Sequence, residues 1–189
     1  LAVTAAAVAA LAQCGASPRF RQHYPTEAAA YLQKAQLGWR FLTNAIALYG
    51  KDGAYQKLTS YGNEFMHDDE LAWAACEMYL ATGDNAYHQK LLEWLPNPND
   101  PLLRRWGYWR VFEAYGRAIR SYAFGARSGR VIASKLDAVY LGKCETELKA
   151  GAADHVTRSQ RNAYGMSFPL ESKAVGQAGW FFPNERAFD

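Results

Sequence analysis

The chain has 189 residues, half of them hydrophobic, and a net charge of +3. That length supports a single hydrophobic core, and the composition excludes a disordered polypeptide and a strongly basic nucleic-acid binder. Three cysteines at long, irregular spacing form neither a disulfide framework nor a zinc pattern, so no metal site and no cofactor is expected.

Every strongly periodic segment is helical. Residues 1–14 are rich in alanine but lack the basic start of a signal peptide, and they read as a buried helix with Val3, Ala7, Leu11 and Cys14 turned inward. A second helix opens at Pro25, with Thr26 as its cap and Glu27 complementing the positive helix start. Its stripe of Ala28, Leu32, Ala35, Trp39, Leu42 and Ile46 runs on to Gly50. The third spans Asp68 to Leu80. Leu71, Ala75, Met78 and Tyr79 give it one apolar face, and Trp73, Cys76 and Leu80 give it another. A helix apolar on two sides is packed on two sides, as on the inner ring of a multi-helix barrel.

Asp84 caps a short fourth helix that ends near Trp94, where Pro96, Pro98 and Pro101 stop it. A fifth covers roughly Gly107 to Phe124. Ser134 caps a sixth, whose buried stripe holds Leu136, Val139, Tyr140, Cys144 and Leu148. Long connections fall at about 49–67, 95–106 and 150–182, and connections of that length tend to be functional. Short and long connections alternate, so the long loops gather at one end of a set of helical hairpins. The chain starts and ends within helical pattern, as expected of an internal piece of a longer protein.

Carboxylates are the expected chemical currency, since no phosphate loop, paired-histidine metal motif or nucleophile elbow is present. His23, His67, His88 and His155 are scattered and read as loop or surface residues. Arg117, Arg120, Arg127 and Arg130 read as a solvated helix surface. Asp68 and Glu70 suit capping of the third helix. Asp69 shares a face with Trp73 and should point inward, where a carboxylate needs a partner. Glu113 follows Trp109 by one turn and precedes Arg117 by one turn, so it is either a cleft carboxylate beside an aromatic or half of a surface ion pair. Glu171 lies in the last long connection next to Lys173 and reads as half of a solvated pair.

The stretch Asp69-Glu70-Leu71-Ala72-Trp73-Ala74-Ala75, followed by Met78-Tyr79-Leu80-Ala81-Thr82-Gly83-Asp84, resembles the signature of glycoside hydrolase family 9, the cellulase-type family. The alanine-rich start, Trp109 and the segment from Asn162 to Phe182 extend the likeness over most of the chain. The resemblance implies an all-α fold, an incomplete (α/α)6 barrel with about half of the ring and long one-sided loops. It implies that residues 1–189 form part of the catalytic domain of an inverting hydrolase of β-1,4-linked glucans or related chains. The family's catalytic motifs do not occur here, so no catalytic residue is assigned. Asp69, Trp109, Glu113 and Tyr164 are the expected substrate-binding residues. Departures exist: Glu64 replaces a common aromatic, and Arg110 replaces the usual Asp after the tryptophan.

The expected partners are a polysaccharide or oligosaccharide substrate and the remainder of the same catalytic domain, with no nucleic acid and no membrane. The resemblance implies a secreted, extracellular or periplasmic protein. Two other readings stand beside it: a non-catalytic carbohydrate-binding relative, and a helical-repeat scaffold for proteins. The second requires a fixed repeat near 34 residues, and the spacings here do not recur.

Overall fold

A computed structural model describes residues 1–50, 68–100, 113–161 and 163. Among them are seven α-helices: α1 (Ala2–Ala16), α2 (Pro18–His23), α3 (Pro25–Tyr49), α4 (Asp68–Thr82), α5 (Asn85–Trp94), α6 (Glu113–Phe124) and α7 (Ala138–Gln160). No strand occurs among the described residues, so the fold is all-α as expected. No helix there is long and apolar enough to cross a membrane.

The helices pack in an alternating order. α1 lies against α3 and α4, α4 also against α5 and α6, and α6 against α7. α4 stands at the centre: every residue from Leu71 to Leu80 is buried, whereas α3 and α5 each bury one stripe. The two apolar faces read from the sequence of α4 are therefore both covered. α1, α4 and α6 form an inner layer backed by α3, α5 and α7. Three inner–outer pairs are what half of an (α/α)6 ring contains.

α4 ends sharply because Gly83 adopts φ +69°, a left-handed conformation that a Cβ would strain. The Gly83 N–H returns to the Tyr79 carbonyl at 2.7 Å, and the Asp84 carboxylate accepts the Ala86 N–H at 2.9 Å to start α5. The expected cap at Asp84 is thus in place. Thr26, by contrast, does not cap α3. That helix begins one residue earlier with Pro25 in its first turn, which has no N–H to satisfy.

α1 is turned differently from the expected stripe. Its buried face is Ala5, Val8, Ala9, Ala12, Gly15 and Ala16, while Val3 is 85% exposed and Cys14 faces solvent. The cause is steric. α1 runs antiparallel to α3 at very short range and touches α4 as well, and only its face of small residues permits both. A Cβ on Gly15 would lie 2.8 Å from the Ala28 carbonyl oxygen and 3.0 Å from the Leu32 nitrogen, and one on Gly38 would meet Val8 Cγ2 at 2.6 Å.

A polar network joins the outer helices to α4 and α6. His88, read as a surface residue, is instead buried, and its ring stacks on Tyr79 at 4.6 Å. The Tyr122 hydroxyl shares a hydrogen bond with His88 Nε2 at 3.0 Å and accepts the Asp137 N–H at 2.9 Å. Asp137, not Ser134, caps α7, accepting the Tyr140 N–H at 2.8 Å. Ser134 sits in a separate 3-10 turn, Ala133–Lys135. Tyr140 donates to the Leu95 carbonyl at 2.8 Å, and Tyr79 donates to that of Lys135. α7 then continues to Gln160, into a region expected to be loop, because Cys144, Glu147 and Gly151 keep a buried stripe going.

Burial raises the Tyr122 and Tyr140 phenols well above their ordinary range, and it pushes the Cys144 thiol up to about 12. Burial also lifts Cys76 well above its usual value. Cys76 and Cys144 therefore act as small hydrophobes, as expected.

Two outcomes follow. Replacing Gly15 by Ala gains up to about 1 kcal/mol of helix propensity. It also forces a methyl into backbone that cannot give way, which costs about 1–3 kcal/mol or more. Gly15→Ala should therefore lower the unfolding midpoint, and an unchanged or raised midpoint contradicts the close α1–α3 approach. Burial lowers the His88 pKa from its ordinary value of 6.5, with Asp137 opposing weakly. Below pH 6.5 the unfolded chain binds the proton that the folded chain refuses, so stability falls as pH drops through that window, by at most about 1.4 kcal/mol per pH unit. Urea unfolding at pH 7.5 and 5.5 should show this loss, and His88→Gln should remove most of it. Equal pH dependence in both proteins contradicts the assignment.

Candidate functional site

α4 and α6 run parallel, and their facing stripes are in register. Trp73 meets Arg117, and Glu77 meets Ser121, each partner lying 44 positions further along the chain. One turn earlier on each helix stand positions 69 and 113, so two carboxylate-bearing residues open adjacent inner helices at the same end. Asp69 is 7% exposed, so the inward placement read from its phase with Trp73 agrees with the structure.

Below Asp69 the stripe is fully engaged. Trp73 is buried, and the Arg117 guanidinium lies 5.0 Å from its ring centre. Contacts of this kind are worth about 0.5–2 kcal/mol, more when desolvated. Trp73 Nε1 donates to Glu77 Oε1 at 3.0 Å. The indole is thus buried, with its N–H bonded and a guanidinium over its ring, and it anchors the site rather than stacking on a sugar.

Glu77 is completely buried. Its Oε1 also accepts the Ser121 hydroxyl, and its Oε2 pairs with Arg130 Nη2. Arg130 arrives from the turn after α6. Gly129 adopts φ +72° there, and the Arg130 N–H returns to the Gly125 carbonyl at 3.1 Å, which folds the side chain back over α4. A buried carboxylate is tolerated only when charge and lone pairs are both answered. Here three donors from α4, α6 and the turn answer them.

The arginine cluster therefore divides. Arg127 is exposed and pairs with Glu145 at 3.0 Å. Arg117 covers Trp73, and the Arg130 side chain is only 7% exposed. The reading of these arginines as a solvated surface is corrected for Arg117 and Arg130, because each finds a buried partner on α4.

Of the four expected substrate-binding residues, the structure places Asp69 and the helical position of Glu113. The Glu113 side chain, Trp109 and Tyr164 lie outside the described residues, as do the Asp68 side chain and the pair Glu171 and Lys173. Glu77 was not singled out from the sequence. Its signal was there: one acidic residue inside an unbroken apolar run, four positions after a tryptophan.

A carboxylate on the central inner helix, one turn before the Trp73–Arg117 contact, can accept hydrogen bonds from the hydroxyls of a polar ligand. The sequence model of Glycosyl hydrolase family 9 matches residues 1–168. Endoglucanase 24 of Oryza sativa subsp. japonica is 35% identical over 102 residues, which cover 54% of this chain and 18% of that protein. The aligned region is thus less than a fifth of that relative's length. No solved structure matches the chain. With nearly nine-tenths of its length inside the family match and the alternating helical wall that goes with it, the chain belongs to glycosyl hydrolase family 9.

Proposed function

We propose that this chain forms part of the substrate cleft of an inverting hydrolase of β-1,4-linked glucan or a closely related saccharide. The observation that carries the reading is the buried Asp69 carboxylate at the start of the central inner helix. Support comes from position 113, which opens the neighbouring helix at the same level, and from the glucanase name of the rice relative.

Asp69 serves substrate binding. A carboxylate accepts hydrogen bonds from vicinal sugar hydroxyls, and its fixed backing spares the entropy of ordering it on binding. Trp109, Glu113 and Tyr164 extend the same cleft. Inversion requires a general acid and a general base about 6.5–9.5 Å apart with a water between them. No such pair is assigned to this chain, and in the intact protein it comes from other parts of the domain. Such a protein works on extracellular or periplasmic polysaccharide.

The test uses the 189-residue chain. Titration with cellotetraose should change tryptophan fluorescence saturably without releasing reducing ends. Asp69→Asn should weaken binding about ten-fold or more, the value of one hydrogen bond to a charged group, and should leave the unfolding midpoint nearly unchanged. Turnover of a β-glucan by this chain contradicts the assignment of the acid and base elsewhere. Equal affinity of the two proteins for the saccharide contradicts the role of Asp69.

A further inference from the structure

α4 and α6 carry three matched levels, each one turn, about 6 Å, below the last. Positions 69 and 113 form the first, Trp73 and Arg117 the second, and Glu77 and Ser121 the third. The third level is closed, since Glu77 is fully buried and bonded to Trp73, Ser121 and Arg130. The second is closed only in part. Trp73 is 7% exposed, but Arg117, whose guanidinium carbon lies 5.0 Å from the centre of that ring, is half-buried.

Arg117, Arg127 and Arg130 thus occupy three different settings. Arg127 is a surface cation paired with Glu145, and the Arg130 side chain is sealed against Glu77. Of the three, Arg117 combines a buried anchor with contact to solvent. In a helix the Cα–Cβ bond tilts toward the N-terminus, so the side chains of 73 and 117 set out toward the level of 69 and 113. A guanidinium has five N–H donors, and it can serve a ligand alongside its contacts within the protein. Its fork gives two parallel hydrogen bonds to paired oxygens, and holding it over an indole reduces the freedom lost in doing so. An ionised Asp69, by contrast, only accepts. Each hydroxyl of a sugar both donates and accepts, so a site that grips two adjacent hydroxyls uses an acceptor and a donor together.

We propose that Arg117 is a saccharide-binding residue and that it shares one vicinal diol with Asp69. The Asp69 carboxylate accepts the two hydroxyl protons, and the Arg117 fork donates to the two oxygens. The inference rests on the glucan-cleft reading and deepens it, naming the group of the sugar recognised at this end of α4 and α6. It also requires arginine in particular, because an ammonium is a point charge that cannot donate as a fork.

Calorimetric titration of the 189-residue chain with cellotetraose tests it, using Arg117→Lys, Arg117→Met, Asp69→Asn and the combination of Asp69→Asn with Arg117→Lys. Arg117→Lys keeps a cation over Trp73 and gives up the fork. It should weaken binding about five-fold or more while the urea midpoint stays near that of the parent. Arg117→Met should weaken binding further, roughly ten-fold or more; if it does not fold, Arg117→Lys carries the test. With both residues on one diol, the combined change should weaken binding clearly less than the product of the single losses. Failure of the parent chain to bind cellotetraose overturns the glucan-cleft reading and this inference with it. Weakening by Asp69→Asn, with parent-like affinity in the Arg117 variants, overturns this inference alone. Losses that simply multiply overturn the shared diol, and so does a loss in Arg117→Lys that Asp69→Asn does not show.

Discussion

A carboxylate with no access to water sits between the two inner helices that matter most to this wall, and the local structure is arranged around satisfying it. Glu77 receives donors from its own helix through Trp73, from α6 through Ser121, and from the following turn through Arg130. An ion of this kind left unpaired in an apolar interior is penalised by several kcal/mol. Sliding α4 along α6 by one turn would break two of its three bonds and strip Arg117 from Trp73. The polar contacts therefore do what the alanine-rich surfaces cannot: they select one register among several of similar packing energy. That register brings positions 69 and 113 to the same level.

Close approach and polar specificity divide the work between the two sides of α4. On the side of α1 and α3 the residues are small, with Gly15 bringing the α1 and α3 backbones together and Gly38 leaving room for the Val8 side chain. Toward α5, α6 and α7 the core is aromatic and hydrogen-bonded through His88, Tyr122 and Tyr140. Phenols and an imidazole are buried at acceptable cost there because the Tyr79, Tyr122 and Tyr140 hydroxyls and His88 Nε2 each have a partner. The helix carrying Asp69 is thus held from both sides, and a binding carboxylate on such a helix loses little freedom when a ligand arrives.

Much of this was legible in the residues. Period and punctuation placed α4 and α5, because the apolar run between Leu71 and Leu80 and the Thr82-Gly83-Asp84 turn act locally. Burial of Cys76, Cys144 and Asp69 followed from the same phase argument. The rotation of α1 was not legible, since a stripe of Ala and Gly carries little hydrophobic contrast and its use depends on how near α3 lies. Nor was the burial of His88 or Arg130, each of which depends on partners 34 and 53 positions away. Thr26 and Ser134 are sound capping residues by type, yet Pro25 and Asp137 hold better positions, and the choice between adjacent candidates is made by tertiary contacts. Glu77 was overlooked because an acidic residue inside a helix is usually on its solvated side.

The central claim is that the Glu77–Arg130 pair, and not apolar packing alone, fixes α4 against α6. A double-mutant cycle by urea unfolding with Glu77→Gln, Arg130→Met and the combination measures it directly. Each single change should cost about 3–5 kcal/mol, the usual result of orphaning a buried charge. The pair should cost clearly less than the sum, with a coupling of about 2 kcal/mol or more. Additive effects, with a coupling near zero, would mean that the two charges do not share a buried contact and that the register of the inner helices has another origin.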